Sequence, residues 1–246
     1  SGATHPTLEL LFTTGEEHFC VGAKAFDAQR LQSKTAYVMD LSGPVGDCAV
    51  AAPTLITFSA EVMGKAAHAG FAPEDGVHAI QVAAAAVANL PSGRWGDVTV
   101  NVGTISGGRA TNIVPDSCTV TGEIRALCHQ DALDRLNEIH SEFVEQAQAV
   151  DAKLNFNHTI HITGYRVDTD APVAQRFKRA CEAVGVAPRF TDTYGGSDCN
   201  ILSAHGIQGL VVATAMNNCH AVSEYTTVEE LCRAGRLAQA LMEKQD

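Results

Sequence analysis

The stretch "TLITFSAEVMG", Thr54–Gly64, decides how this chain of 246 residues is put together. Ile56, Phe58, Ala60 and Val62 alternate with Leu55, Thr57, Ser59 and Glu61, the period of a half-buried strand. Downstream, "DGVHAIQVAAAAVANLP" (75–91) reads as a helix that opens near Asp75 and is stopped by Pro91. "DVTVNVGTI" (97–105) and "SCTVTGEIRAL" (117–127) read as strands. "QDALDRLNEIHSEFVEQAQAV" (130–150) places Leu133, Leu136, Ile139, Phe143 and Ala147 at helical spacing, and "KLNFNHTIHI" (153–162) alternates again. The order β-α-β-β-α-β is the split-βαβ, ferredoxin-like pattern. It predicts an α+β domain over residues 53–161, with a four-stranded antiparallel sheet covered by two helices on one face.

The flanks read differently. Upstream, "LELLFTT" (8–14) and "TAYVMD" (35–40) are short apolar runs of strand type, and "GAKAFDAQRL" (22–31) between them reads as a helix. Downstream come a helix "APVAQRFKRACEAVG" (171–185), a turn "TYGGSDCN" (193–200) and a helix onset "CNILSAHG" (199–206). A strand "GLVVATA" (209–215) and a last helix "TVEELCRAGRLAQALMEK" (227–244) follow, the helix opening on the capping-box pattern Thr227…Glu230. This alternation predicts an α/β domain with a mostly parallel sheet, made of residues 1–52 and 162–246, into which the α+β domain is inserted.

Composition narrows the function. The formal charge is −11 and the basic residues are scattered, which argues against nucleic acid and anionic membrane as partners. No apolar run approaches the ~18–20 residues of a membrane span. The eight cysteines include no CxxC and no tight cluster, a pattern of reduced thiols in a cytoplasmic protein rather than a thiolate zinc site. There is no GxSxG, and no cysteine has an evident histidine and acid context, so a serine or cysteine hydrolase finds no support.

In open parallel sheets, ligands bind beyond the carboxyl ends of the strands. Glu16 and Glu17 follow "LELLFTT", Asp40 ends "TAYVMD", and His220 follows "GLVVATAMNNC". Two adjacent carboxylates are also what a solvated turn carries. Gathered at one sheet edge with an imidazole, however, they suit a divalent ion such as zinc, manganese or cobalt. In extended backbone neighbouring side chains face opposite ways, so one carboxylate could ligate a metal while the other faces a water on it.

Six stretches now occur in order: "LLFTTGEEHFCVGAKAF", "YVMDLSGPVG", "GKAAHAGFAPEDGVHA", "GTISGGRATNIVPDSCTVTGEIRA", "YGGSDCNILSAHGI" and "NNCHAVSEYTTVEEL". Together they resemble the zinc-dependent exopeptidase family that includes peptidase T, carboxypeptidase G, aminoacylase and succinyl-diaminopimelate desuccinylase, with peptidase T-like members nearest. The resemblance implies a catalytic α/β domain carrying a ferredoxin-like lid that mediates homodimers. It implies a hydrolase of short peptides or N-acyl amino acids, an aminopeptidase among them, with two zinc ions. Glu16 matches the general base. Glu17, Asp40 and His220 match metal ligands. His68 in "AAHAG" matches a lid histidine that reaches the partner subunit's site and polarises the scissile carbonyl. Asn112 and Arg125 match lid residues that hold substrate carboxylate or backbone, and Gly195, Gly196 and Ser197 match a substrate-contacting loop. Outside the resemblance, His68 reads rather as a turn histidine and Arg125 rather as a solvated strand residue, while Asn112 reads equally as a turn cap and "YGGSD" as a tight turn. Arg109 and Asp198 adjoin matched motifs without a role.

The family pattern also needs, ahead of the carboxylate pair, a His-x-Asp after a strand and an Asp bridging two metals, and neither precedes Glu16 in this sequence. The expectation is therefore a C-terminal portion of a longer enzyme, inactive by itself. The alternative is a non-catalytic dimerisation or peptide-binding module derived from the family.

Overall fold

The computed structural model describes residues 5–243. Lys244, the predicted end of the last helix, and the outermost residues of the predicted domain limits lie outside them. The chain folds as two compact units, one of Ser1–Pro53 with Ile162–Asp246, the other of Thr54–His161. Before the insertion run α1 (Val21–Ala25), β1 (Thr35–Ser42) and β2 (Asp47–Ala52). The inserted unit contains β3 (Thr54–Met63), α2 (Ala79–Asn89), β4 (Gly93–Trp95), β5 (Val98–Gly107), β6 (Ser117–Ala126), α3 (His129–Gln148) and β7 (Lys153–Ile162). After it come β8 (Tyr165–Arg166), α4 (Pro172–Ala183), β9 (Arg189–Asp192), α5 (Asp198–Ala204), β10 (Gln208–Met216) and α6 (Val228–Met242).

The inserted unit is a sheet of order β4-β5-β6-β3-β7. β3 and β6 pair antiparallel without a break from Thr54↔Ala126 to Met63↔Ser117. Ile56, Phe58, Ala60 and Val62 are buried, as their alternation requires, against Ala79, Val82, Ala83 and Ala86 of α2 and Leu136, Ile139 and Phe143 of α3. Gly122 has to be glycine, since a Cβ there would collide with the Phe58 ring. The sheet has five strands rather than the expected four. Gly93 and Gly96, both at positive φ, stand at either end of the short strand β4, which pairs antiparallel with β5 at the sheet edge.

The discontinuous unit holds a mixed sheet of order β1-β10-β2-β8, with β9 also pairing β2. β1 runs parallel to β10 and β9 parallel to β2, while β10 and β8 run antiparallel to β2. Val173 and Phe177 of α4, Leu237 of α6 and Leu210 of β10 lie in its core. β2 had not been expected, because "DCAVAA" is buried at every position and so lacks alternation. The expected strand at 8–14 does not form. Residues 5–14 carry no regular structure, and Leu10 and Phe12 are 74% and 90% exposed. A strand needs a neighbour, and none of the described residues pairs with this segment. The expected helix at 22–31 breaks at Asp27, whose side chain accepts the Gln29 N–H and starts a separate 3-10 turn.

One side chain holds the two points where the chain leaves and re-enters this unit. Asn200 is 1% exposed. Its Nδ2 donates to the carbonyls of Pro53 (3.1 Å) and Thr163 (2.9 Å), and its Oδ1 accepts the Ser197 N–H (3.1 Å).

Candidate functional site

The carboxylate pair lies on a closed loop. Gly15, at φ +66°, turns the chain into a 3-10 turn, Glu16–His18, and Phe19 and Cys20 follow in the left-handed region. The Cys20 N–H donates to the Glu16 carbonyl (2.8 Å) and the Gly22 N–H to the Thr14 carbonyl (2.9 Å). A Cβ on Gly22 would collide with the Thr14 backbone, so the loop closes only with glycine there. The pair is thus not extended as expected. With three residues per turn, the two side chains diverge by about 120° instead of facing opposite sides.

Asp40 and His220 belong to the carboxyl ends of the parallel pair β1 and β10. The β1/β10 register shifts between Val38 and Leu41 and again between Leu41 and Ser42. Ala215, Asn218 and His220 all have positive φ. Irregular, strained backbone of this kind re-aims side chains at a sheet end. Here it brings His220 Nδ1 to 3.4 Å from Glu17 Oε1, while the His220 N–H donates to Glu224 Oε2 (3.0 Å).

Glu16 and Asp40 share this field. Burial, then the carboxylates of Asp40, Glu17 and Asp198, push the Glu16 carboxyl up to about 7, against the pull of His220. Burial, then Asp198 and Glu17, raise Asp40, and His220 again opposes. Asp198 is the member whose role the sequence did not reveal, although it follows the Gly-Gly-Ser turn directly. Its Oδ2 accepts a short hydrogen bond from Thr13 Oγ1, and its Oδ1 is buried without a hydrogen-bond partner.

Four carboxylates and one imidazole at one sheet end call for a cation, and oxygen and nitrogen donors of these types suit zinc, manganese or cobalt. Among the described residues, however, no group of three or more His, Cys, Asp or Glu is disposed to hold an ion. Charge and donor type fit a metal. A finished coordination set is not present.

In the 195–197 turn, the Gly195 N–H donates to Thr193 Oγ1 (3.1 Å). Gly196 packs so closely on Ile162 that a Cβ would collide with it. Ser197 is buried, and its hydroxyl accepts the Cys199 N–H as the cap of α5 (3.2 Å). That leaves the two glycines as the accessible part of the turn.

In the inserted unit, His68 Nδ1 accepts the Gly70 N–H (3.1 Å), and the ring stacks on Phe71 at 4.2 Å. With Nδ1 an acceptor, the neutral imidazole carries its proton on Nε2. Asn112 lies alongside, its carbonyl accepting the Ala69 N–H (3.0 Å) next to the His68↔Ile113 bridge. Arg125 is not with them. It pairs with Leu55 near the far end of β6 from Ser117, eight residues or about 26 Å away. Its guanidinium meets both oxygens of Glu123, at 2.9 and 3.3 Å. Arg109 pairs with Asp116 (2.6 Å).

Comparison with known proteins places this arrangement of an α/β unit with an inserted antiparallel unit beside known peptidases. Residues 50–151 match the family described as the peptidase dimerisation domain. Over 241 residues the chain is 32% identical to the uncharacterised protein YqjE of Bacillus subtilis, covering 98% of this chain and 65% of that one. The structure of aminopeptidase PepT from Bacillus cereus superposes with a TM-score of 0.89 at 36% identity, covering 94% of this chain and 62% of that one. That of a tripeptidase from Staphylococcus aureus gives 0.90 at 27% identity, with the same coverage. The chain spans less than two thirds of the length of these relatives. Together they make the chain similar to peptidase T-like members of the M20 peptidases.

Proposed function

We propose that the protein, at the length of its relatives, is a cytoplasmic metal-dependent exopeptidase of short peptides, working as a homodimer. The observation that supports it most is the approach of His220 Nδ1 to Glu17 Oε1 at 3.4 Å, next to Glu16, whose carboxyl is pushed up by burial and by its acidic neighbours. A carboxylate placed beside a metal-bound water is suited to take its proton and return it to the leaving group. Glu17, Asp40 and His220 would hold zinc, or alternatively manganese or cobalt. Two ions are expected in the full-length enzyme, with the remaining ligands supplied from outside the present residues. Bound there, the metal supplies a water acidic enough to ionise near neutrality and a Lewis acid for the scissile carbonyl.

In this reading Glu16 accepts the proton of the attacking water and passes it to the leaving amine. His68 donates its Nε2–H to the carbonyl oxygen as negative charge develops there. Asn112 meets substrate backbone, the Gly195–Gly196 turn offers main-chain groups, and Arg125 exchanges Glu123 for a substrate carboxylate. His68 lies in the inserted unit, remote in sequence from Glu16, and by the resemblance it serves the site of the second subunit. The names of the B. cereus and S. aureus relatives favour aminopeptidase or tripeptidase action. N-acyl amino acids are the other substrate class.

The test is Glu16→Ala in the full-length protein, assayed on tripeptides. Turnover should fall about 10²–10⁴-fold with metal content intact. If the unmodified full-length protein hydrolyses no peptide or acyl amino acid, the reading fails. The dimerisation or peptide-binding module then takes its place, favoured by the match of residues 50–151.

A further inference from the structure

We infer that Asp198 is a positioning residue, whose hydrogen bond from Thr13 fixes the loop that carries Glu16 and Glu17. The loop is attached on both sides of the carboxylate pair. On the downstream side, Cys20 and Ala23 are buried and anchor the start of α1. On the upstream side the chain lacks regular structure from residue 5 to residue 14. Glu9 is tied to the N–H groups of Gln32 and Ser33, and then comes Thr13, whose hydroxyl donates to Asp198 Oδ2. That bond lies three residues before Glu16, the nearest side-chain tie ahead of it among the described residues.

The anchor itself is rigid. Asp198 is the first residue of α5, directly after Ser197, and Ser197 and Asn200 form a reciprocal capping box. Asn200 is in turn fixed by its bonds to Pro53 and Thr163. A carboxylate with one oxygen buried and unpartnered is unfavourable on stability grounds alone. What its other oxygen holds, the Thr13 hydroxyl, gives it a purpose there. The role in catalysis rests on the peptidase reading, whereas the role in positioning does not.

Two measurements separate these. The first is amide hydrogen exchange of this chain at Cys20 and Gly22, whose N–H groups close the loop. Thr13→Val, which keeps the shape of the side chain, and Asp198→Ala should each speed exchange at both amides about tenfold or more. Thr13→Ser should exchange like the parent, and the melting temperature should move little in any of them. Unchanged exchange in Thr13→Val would overturn the proposal, as would a general loss of protection throughout the unit. The second is kinetics of the full-length enzyme. Thr13→Val and Asp198→Ala should lower kcat about 10–100-fold with KM nearly constant, and the double variant should be no worse than the worse single one. Full kcat in both variants would overturn the catalytic half. An inactive parent would overturn the peptidase reading, and exchange alone would still decide the tether.

Discussion

Glu17 Oε1 and His220 Nδ1 lie 3.4 Å apart, although almost the whole chain separates them in sequence. In the peptidase reading, this carboxylate and imidazole, with Asp40 sharing their field, would supply part of a metal site. Zinc titration calorimetry should show weak binding to this chain and much tighter binding to a protein of the relatives' full length. In the latter, Glu17→Gln and His220→Ala should lose metal, while Glu16→Gln should retain it. Stoichiometric tight zinc in the present chain would contradict the expectation.

The Glu16 carboxyl should titrate near 7 in the metal-free chain, readable by carbon-13 NMR of the side chain. Asp40→Asn removes a negative neighbour and should lower that value. The sign for stability follows. The unfolded chain ionises this group at about 4.5, and the folded chain only at about 7, so the folded state holds the extra proton between them. Stability from this group is full below 4.5 and is lost as pH rises through 7. In Glu16→Gln that part of the pH dependence should vanish from denaturation curves.

His68 should appear in nitrogen-15 spectra as the Nε2–H tautomer, because its Nδ1 is occupied by the Gly70 N–H. Phe71→Ala removes the stacked ring and should broaden or shift those resonances. If His68 serves the partner's site, mixing full-length Glu16→Ala with full-length His68→Ala should restore part of the activity once subunits exchange. Confirmed exchange without recovery would reject the trans arrangement.

Asn200→Ala should destabilise the discontinuous unit by about 3 kcal/mol in urea unfolding, since it strands two carbonyls and the Ser197 N–H. Asn200→Asp should be worse, because a carboxylate cannot donate to Pro53 and Thr163. A loss under 1 kcal/mol would mean that water replaces the side chain easily.

The inserted unit was legible because its strands have one face covered. Ile56, Phe58, Ala60 and Val62 print that geometry onto the sequence as alternation. The same logic failed at β2, which is buried on both faces, and at 8–14, where an apolar run looks like a strand whether or not a neighbour exists to pair with it. Glu17 and His220 were expected at one sheet edge because each was read as following a strand; they do meet, but Glu17 is carried by a turned loop, since 8–14 forms no strand. The role of Asp198 was not, because a tether is defined by the hydroxyl it meets, and no local pattern announces Thr13 as its partner. The turn at Glu16–His18 was hidden for a related reason, as Gly15 at positive φ bends a segment whose residue types favour extension.

The carbonyls of Pro53 and Thr163 both reach the same amide nitrogen, so residues 54–161 begin and end at neighbouring points. An insert with adjoining ends behaves as a cassette. It can be removed and the gap bridged by a few glycines without re-threading anything that remains. The framework around β2 and β10 would keep its sheet, and a different cassette could be spliced between the same two carbonyls. Asn200 thus marks a seam in the chain, a place where evolution or an engineer can exchange what is mounted on this framework without rebuilding it.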